Sequence, residues 1–288
     1  MLTLILGRGR SGKTELLLRR METCPATQIA GKILIVPEQL SHQTERTIAR
    51  RGTLGYRAEV LSFTRLYSRV TAICGGGARQ VLDAGGRLVS VRLALDAVRS
   101  QLRVFAPAAG NAQFLSGMVS MLDELLSWNV TPERLRDASG GTEGILSRKL
   151  SELGLILDAY QTVTARGAAD PQDRLTLLQD KLPNYAPGRH FFVDGFTDFT
   201  AQELGVLGTL LTWGESLTVA LPSDPEDPLF EPGEHTVQRL KEMAEELGQK
   251  VDLLQADYVR ELPPALGHLE RNLFAPVPVP FEEAPSEI

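Results

Sequence analysis

Short apolar runs and longer stretches with helical spacing alternate along two parts of the chain. The apolar runs predict buried strands in the first 75 residues and again after residue 188. They cover residues 2–6, 32–36, 59–63, 190–194, 216–221 and 251–254. Helices are predicted over 38–51, 64–73, 200–213 and 235–247, the last with Gly248 as its cap, and a proline- and acid-rich loop over 222–232. This alternation is typical of an α/β fold with a parallel sheet.

Between these two parts, the apolar residues have helical spacing from residue 80 to about 182. Three apolar stripes predict helices that pack against one another. The stripes are Leu88, Val91, Leu95 and Val98; Phe114, Met118, Met121, Leu122 and Leu125; and Leu150, Leu153, Leu157 and Tyr160. Loops are predicted near 106–111, 137–142 and 167–171. The sequence therefore predicts a discontinuous α/β domain (1–75 and 188–273), a helical insertion domain (76–187) and a proline-rich tail (274–288).

The most specific motif, residues Gly7–Thr14, follows the first predicted strand, and we call it the phosphate loop. It matches the pattern G-x-x-x-x-G-K-[ST] at every fixed position and precedes an apolar stretch with helical spacing. In such a strand–loop–helix context, backbone N–H groups and the helix N-terminus face phosphate oxygens. The candidate nucleotide-binding residues are Gly7, Gly9, Arg10, Ser11, Gly12, Lys13 and Thr14. The alternative interpretation is a glycine-rich turn that precedes Lys-Thr by chance.

A second candidate residue, Asp194, closes the predicted strand 190–194. A P-loop NTPase needs a carboxylate at the end of a neighbouring strand to hold Mg²⁺. Thr14 and Asp194 are therefore the candidate metal residues, and ATP and Mg²⁺ are the expected cofactors. The alternative is an ordinary acidic residue that opens a turn, because Asp-Gly is a strong turn signal.

The residue after Asp194 bears on catalysis. In many ATP-driven motors that position is a glutamate that orients the attacking water, whereas here it is Gly195, which has no side chain. Asp198 and Glu203 follow, but the sequence places neither beside a phosphate. We therefore expect ATP binding with little hydrolysis and assign no catalytic residue.

Composition and cysteine content are typical of a globular protein without a disulfide framework. Of the 288 residues, 43% are hydrophobic and 23% charged, which is ordinary for a globular protein. No apolar run approaches the roughly 20 residues that span a bilayer, and no charged segment precedes the first run, so neither a membrane span nor a signal peptide is expected. Cys24 and Cys74 are too few for a disulfide framework or a four-cysteine iron–sulfur site. A cytoplasmic protein is expected.

The net charge of −6 conceals an uneven distribution. Residues 1–105 contain 17 Lys and Arg against 7 Asp and Glu, whereas the remainder contains 13 against 29. A basic first third is compatible with binding of a polyanion such as nucleic acid. It is equally compatible with solvated helix surfaces.

Several stretches, in this order, resemble the N-terminal part of the AddB subunit of the AddAB helicase–nucleases, a family similar to superfamily-one helicases of the UvrD type. Besides the phosphate loop, the matching stretches are 33–39 with 44–46, 60–66, 193–200 with 202–203, 217–222 and 268–274. The phosphate loop alone is unspecific, whereas the ordered series V-P-E-Q, L-S-F-x-R-L and V-D-G-F-T-D-F is specific. The resemblance covers essentially the whole chain.

The resemblance implies a RecA-like P-loop NTPase fold and a role in processing DNA double-strand-break ends for recombinational repair, with an AddA-type helicase–nuclease subunit as partner. It also implies an inactive motor. UvrD-like helicases have roughly D-E-x-Q-D where this chain has Gly195 and Thr197 in place of the glutamate and glutamine, and the stretch 223–228 lacks the glutamine that senses the γ-phosphate. The family's nuclease domain and iron–sulfur cluster lie further along a longer chain, so neither exonuclease activity nor that cluster is expected here.

The resemblance further implies contact with single-stranded DNA, because the loops after residues 36 and 61 touch it in the helicase family. The candidate DNA-binding residues are Gln39, Ser62, Phe63, Thr64 and Arg65, which together we call the candidate DNA surface. A hydroxyl, an aromatic ring and an arginine suit phosphate pairing and base stacking. The alternative is that Phe63 packs in the core and Arg65 faces solvent.

Two other functions stay open on the sequence alone. A catalytically competent P-loop enzyme, such as a small-molecule kinase, would need an acceptor pocket and lid arginines, which the acidic, Leu-rich residues 106–165 do not obviously supply. A scaffold with a vestigial nucleotide site is the other alternative. The resemblance favours a regulatory or scanning ATP-binding subunit of a DNA-end-processing machine.

Overall fold

The structure, a computed structural model, describes most of the 288-residue chain. The described residues are 1–25, 31–52, 54–55, 57–76, 81–256, 263–274, 277 and 279–281. Most of the predicted tail therefore lies outside the described residues. The strands in the described part are β1 (Leu2–Gly7), β2 (Lys32–Ile35), β3 (Ala58–Leu61), β4 (His190–Val193), β5 (Ser216–Pro222) and β6 (Val251–Gln255).

All six strands pair in parallel in one sheet, in the order β3-β2-β4-β5-β1-β6. This confirms the α/β class and the existence of each predicted strand. β1 is paired on both sides, with Leu4 opposite Val219 of β5 and Leu253 of β6. Because helices also cover both faces of a parallel sheet, all six residues of β1 are buried, which explains its unbroken apolar run.

Eleven helices accompany the sheet in the described part of the chain. They are α1 (Lys13–Thr23), α2 (Ser41–Arg50), α3 (Phe63–Cys74), α4 (Ala84–Val98), α5 (Ala112–Ser127), α6 (Pro132–Gly140), α7 (Gly144–Arg166), α8 (Arg174–Tyr185), α9 (Ala201–Trp213), α10 (Glu231–Glu246) and α11 (Pro264–Asn272). Gly248 follows α10 with a left-handed φ of 64°, as the predicted cap requires. No helix among the described residues combines the length and apolarity that crossing a membrane needs.

The boundary between the third strand and its helix differs from the prediction. The sequence predicts a strand over 59–63, whereas β3 ends at Leu61 and α3 begins at Phe63. Ser62 separates the two elements, because its hydroxyl accepts a hydrogen bond from the Arg65 backbone N–H at 3.2 Å and so caps the helix. The serine is the sequence signal for this cap, but the apolar run that ends in Phe63 conceals it.

Three other predicted boundaries are also wrong. The helix predicted over 38–51 begins with a 3₁₀ turn, and α2 starts only at Ser41. The loop predicted near 137–142 is mostly the last turn of α6. α10 begins at Glu231, inside the loop predicted over 222–232, because a proline in the first helical turn removes no hydrogen bond within the helix.

Successive side chains of each strand point to opposite faces of the sheet, so the core around the sheet has two layers. Ile33 and Ile35 face the layer that contains α3, α8, α9 and α10, whereas Leu34 faces the layer that contains α1 and α2. The sheet is therefore sandwiched between helices. Its carboxyl edge, from which the connecting loops emerge, is left open for the candidate site.

The helices α4 to α7 form a separate core within the predicted insertion. The predicted apolar stripes supply this core, for example through Leu95, Leu122 and Tyr160, although Met121 is exposed. α8 also lies within the range 76–187, but it packs against α3 and α9 in the core around the sheet. The division of the chain into domains stays a prediction.

Candidate nucleotide-binding site

The two predicted site segments meet at the carboxyl edge of the sheet. The phosphate loop follows β1 and Asp194 follows β4, with β5 between these two strands. Since parallel strands end at the same edge, the sheet brings together Thr14 and Asp194, which are 180 residues apart.

The backbone of the phosphate loop requires glycine at two positions. A Cβ on Gly7 would lie 2.9 Å from the Ala256 carbonyl oxygen and closer still to the Ser11 hydroxyl. Gly12 precedes α1 with a left-handed backbone, φ 85° and ψ 11°. Gly9 differs, because no atom of the residues that the structure describes lies within 4 Å of its Cβ position. The motif's outer glycines are therefore structural, and the middle one is free of steric constraint.

Lys13 is folded back over the phosphate loop. Its ammonium group donates hydrogen bonds to the carbonyl oxygens of Gly7 and Arg8, at 2.8 and 2.5 Å. Burial lowers the pKa of Lys13, and attraction to the Asp194 carboxylate offsets only part of this effect. The ammonium group is partly buried and is hydrogen-bonded to neutral carbonyl oxygens, which the charged oxygens of a phosphate can replace.

Thr14 and Asp194 are in direct contact. The Thr14 hydroxyl donates a hydrogen bond to Asp194 Oδ2 at 2.7 Å. The Asp194 backbone N–H donates to the Ile35 carbonyl at 3.0 Å, which continues the pairing of β4 with β2 and holds the carboxylate in place. Among the described residues, no three His, Cys, Asp or Glu side chains gather into a possible metal site. The candidate metal site therefore rests on this pair.

These residues fit a nucleotide with Mg²⁺. A hydroxyl and a carboxylate are hard oxygen ligands of the kind that Mg²⁺ uses. The N-terminus of α1 faces the loop, and the side chain of Ser11 has a buried hydroxyl that finds no hydrogen-bond partner in the described part of the chain. The loop therefore offers a cation, backbone N–H groups and a spare hydroxyl to an anionic ligand.

Both acidic side chains that could replace the missing glutamate make structural contacts. Asp198 Oδ1 accepts hydrogen bonds from the Thr236 hydroxyl and from Arg239 Nη1, each at 3.1 Å. Glu203 forms a capping box with Thr200 at the start of α9, with hydrogen bonds in both directions. Each carboxylate therefore uses one of its oxygens in a contact that stabilises the fold.

Gly195 occupies a position that resists a side chain. Its φ is 85°, and a Cβ there would lie 2.8 Å from Leu40 Cδ1 and 3.2 Å from Pro37 Cδ. The left-handed backbone and the neighbouring Pro37 ring both disfavour a larger residue. The local backbone conformation therefore disfavours a glutamate at this position.

Arg8, which the motif does not assign to the nucleotide, contacts the segment that follows β5. We call residues 223–230 the acidic loop. Arg8 Nε lies 2.6 Å from Asp224 Oδ2, and Arg8 Nη2 pairs with Asp227 Oδ2. The guanidinium carbon also lies 5.3 Å from the centroid of the Phe230 ring. The sequence analysis does not predict this contact. The signal that could have indicated it is the acidic stretch directly after a predicted strand.

Two residues of the candidate DNA surface are paired with glutamates. The Ser62 hydroxyl donates to the Glu38 carboxylate, and Arg65 Nη1 lies 2.6 Å from Glu45 Oε1. A phosphate backbone would have to displace these carboxylates or bind beside them. Gln39 and Thr64 are exposed, together with Arg65.

Phe63 lies in the core. Its side chain is 7% exposed, and its ring packs edge-on against the Phe196 ring with 5.5 Å between centroids. This position matches the alternative interpretation of Phe63. In the described conformation its ring has no free face for a base.

Much of the basic charge in the first third is neutralised within the fold. Among the described residues, seven arginines there form ion pairs with carboxylates, namely Arg8, Arg19, Arg51, Arg65, Arg69, Arg87 and Arg92. By contrast, Arg46 and Arg50 lie one turn apart on α2, are exposed, and have no ion pair to any described residue. These two arginines are candidates for polyanion contact that the sequence motifs do not single out.

Curated relatives match the chain over nearly its whole length. The B subunit of the ATP-dependent helicase/deoxyribonuclease from Moorella thermoacetica is 39% identical over 94% of this chain, and that from Desulforudis audaxviator is 38% identical over 95%. The protein of the same description from Bacillus cereus is 30% identical over 94%. The matches cover 26%, 25% and 25% of these relatives, so the chain spans about a quarter of their length.

The family described as "ADDB, N-terminal" matches residues 4–270. This range contains the phosphate loop, Asp194 and the acidic loop. The resemblance inferred from the ordered motifs is thereby confirmed. The chain belongs to the family of N-terminal AddB regions.

Proposed function

We propose that this chain is the ATP-binding, helicase-like part of an AddB protein, within a helicase–nuclease that processes DNA double-strand-break ends in recombinational repair. The description of its relatives as one subunit of an ATP-dependent helicase/deoxyribonuclease supports this role. Because a protein of that description has at least one partner, we propose an AddA-type helicase–nuclease subunit. The phosphate loop after β1 of an all-parallel sheet supports a RecA-like P-loop fold.

One observation carries the proposal of nucleotide binding. The Thr14 hydroxyl and the Asp194 carboxylate are hydrogen-bonded at 2.7 Å, directly beside Lys13 and its loop. Thr14 and Asp194 would hold Mg²⁺, which neutralises phosphate charge when bound. Lys13 would leave the Gly7 and Arg8 carbonyl oxygens for the β- and γ-phosphates, and the loop N–H groups would orient them.

We propose little or no ATP hydrolysis at this site. Gly195 provides no carboxylate, Asp198 is bound by Thr236 and Arg239, and Glu203 caps a helix. Without a group positioned to orient water, hydrolysis of a bound triphosphate is slow. The site would then report nucleotide binding to the rest of the assembly.

The test is a titration of the 288-residue chain with ATP and Mg²⁺ by isothermal calorimetry, beside an assay of phosphate release. We expect binding below millimolar concentration, loss of that binding in Lys13→Ala, and phosphate release at background. Steady release that Lys13→Ala abolishes would contradict the inactive site and favour a competent enzyme such as a kinase. Failure of the wild type to bind at millimolar ATP would favour a scaffold with a vestigial site.

We further propose that single-stranded DNA contacts the exposed side of the candidate DNA surface, with Gln39, Thr64 and Arg65, and continues along Arg46 and Arg50. Their exposure and the lack of carboxylate partners for Arg46 and Arg50 among the described residues support this path. The affinity for an oligothymidylate should fall steeply with salt, because bound cations are released from the phosphates. Arg46→Ala combined with Arg50→Ala should weaken binding and reduce that salt dependence by about two charges.

A further inference from the structure

The contact between Arg8 and the acidic loop has a specific geometry. In each aspartate, one carboxylate oxygen accepts a backbone hydrogen bond within the acidic loop and the other faces Arg8. Oδ1 of Asp224 accepts the Glu226 backbone N–H at 3.0 Å, and Oδ1 of Asp227 accepts the Leu229 N–H at 3.1 Å. Both Oδ2 atoms face Arg8. The side chains that shape the acidic loop are therefore the ones that bind the phosphate loop.

The charges in this contact do not balance. One guanidinium faces two carboxylates, and a second positive group is not among their partners in the described part of the chain. The side chains of Arg8, Asp224 and Asp227 are 36%, 23% and 25% exposed, so the ion pairs are partly shielded from water but still accessible. An excess negative charge thus lies beside a loop whose proposed ligand is itself a polyanion, and it repels that ligand.

We propose that Arg8 and the acidic loop form a latch that responds to the terminal phosphate of the bound nucleotide. This inference rests on the proposed nucleotide binding at the phosphate loop. The terminal phosphate of a triphosphate competes with Asp224 and Asp227 for the Arg8 guanidinium. Arginine suits this exchange, because its Nε and Nη2 atoms, which face one oxygen from each of the two aspartates, can also bind two oxygens of one phosphate. A diphosphate lacks the competing group and leaves the latch closed.

The latch is connected to the rest of the molecule through α10. The acidic loop ends at Phe230, which packs on Arg8 and directly precedes α10. Further along this helix, Arg239 donates to Asp198 at 3.1 Å and lies 5.4 Å from the centroid of the Trp128 ring at the end of α5. Release of Arg8 therefore frees the start of a helix that contacts both the segment after Asp194 and the predicted insertion.

The first test compares nucleotide affinities of charge variants, measured by calorimetry with Mg²⁺. Asp224→Asn combined with Asp227→Asn keeps the Oδ1 acceptors that shape the acidic loop but removes the charges that hold Arg8. We expect this variant to bind a non-hydrolysable ATP analogue roughly three- to tenfold more tightly than the wild type, with a smaller change for ADP. Arg8→Gln should act in the opposite direction and weaken the ATP analogue more than ADP.

Glu226→Gln is the matched control. Glu226 lies in the same loop and carries the same charge, but it is exposed and forms no ion pair with Arg8. Its affinity should stay within about twofold of the wild type. An equal gain in this control would mean that overall charge, and not the latch, sets the affinity. A double aspartate variant that binds the ATP analogue no more tightly, or gains equally for ADP, would overturn the inference.

The second test measures the motion of the latch by hydrogen–deuterium exchange. In the wild type, the backbone of residues 223–230 should exchange faster with the ATP analogue than with ADP. In the double aspartate variant, exchange should be fast with either nucleotide. Equal exchange of the wild-type segment with both nucleotides rules out the latch while leaving nucleotide binding intact. Lys13→Ala gives the reference for absent nucleotide binding. A wild-type chain that binds no more nucleotide than this variant would refute both proposals.

Discussion

The phosphate loop and the candidate DNA surface both lie at the carboxyl ends of parallel strands, yet their side chains have different partners. In the first region, Lys13 lies over its own loop and Thr14 contacts Asp194, so the predicted residues contact one another. In the second region, Ser62 and Arg65 contact glutamates from other elements. The side chains of the phosphate loop therefore lie in the arrangement that the motif predicts, whereas Ser62 and Arg65 of the candidate DNA surface bind partners that no motif predicts.

The physical reason for the difference lies in the backbone. The conformation of the phosphate loop depends on glycines at positions of steric conflict or left-handed φ, and a sequence pattern states such requirements directly. The candidate DNA surface depends on which way side chains point and which neighbours they meet. The packing of the elements decides which neighbours these side chains meet, so the same residues can lie on a surface or in a core.

The largest expected effect concerns Phe63. Phe63→Ala should lower the free energy of unfolding by about 3–5 kcal/mol, because it leaves a cavity next to Phe196. Urea denaturation followed by circular dichroism measures this change. Phe63→Leu keeps most of the buried volume and should leave the affinity for single-stranded DNA unchanged. A large loss of affinity in the leucine variant, with stability retained, would show that the ring stacks on bases after all.

The next largest effect separates the glycines of the phosphate loop. Gly7→Ala should reduce ATP affinity by more than about tenfold and lower the melting temperature, because its Cβ would clash with the Ala256 carbonyl and the Ser11 hydroxyl. Gly9→Ala is the matched control, since its Cβ would meet no atom of a described residue within 4 Å. If both variants bind ATP as tightly as the wild type, the absence of a side chain at Gly7 is not required for nucleotide binding by this loop.

A smaller effect is expected at Gly195. Gly195→Glu supplies the glutamate of active motors, but it should cost about 1–2 kcal/mol of stability because a left-handed backbone strains a residue with a side chain. Phosphate release should stay at background, since Leu40 and Pro37 lie where the new side chain would begin. A clear gain of ATP hydrolysis in this variant would show that the missing glutamate alone silences the site.

The smallest effect concerns the pairing of Arg65. Glu45→Gln releases Arg65 from its carboxylate and should raise the affinity for single-stranded DNA by about two- to threefold at low salt, in line with the modest energy of exposed ion pairs. Glu133→Gln is the control, because Glu133 pairs with Arg136 on α6, in the predicted insertion. Fluorescence anisotropy with a labelled oligothymidylate measures both. An unchanged affinity in Glu45→Gln would place the DNA path away from Arg65.

Element boundaries show where sequence reasoning weakens. The apolar run through Phe63 predicts a longer strand, whereas the Ser62 cap ends the strand, so that Phe63 is the first residue of α3 and its side chain is buried. Likewise, α8 has a helical pattern that the sequence groups with the insertion, but its apolar face lies against α3 and α9. A pattern of apolar residues indicates that a face is buried without indicating what buries it.

The sequence by itself determined the alternation of strands and helices, the phosphate loop, the choice of Thr14 and Asp194 as candidate metal residues, and the resemblance to the AddB family. These features follow from local periodicity, from glycine backbone requirements and from motifs in a specific order. Only the tertiary structure decided that Arg8 is held by the acidic loop, that Phe63 is buried, and that many arginines of the first third are neutralised. The contacts of Arg8 and Phe63 join residues far apart in the chain, and they depend on a strand order that no local pattern encodes.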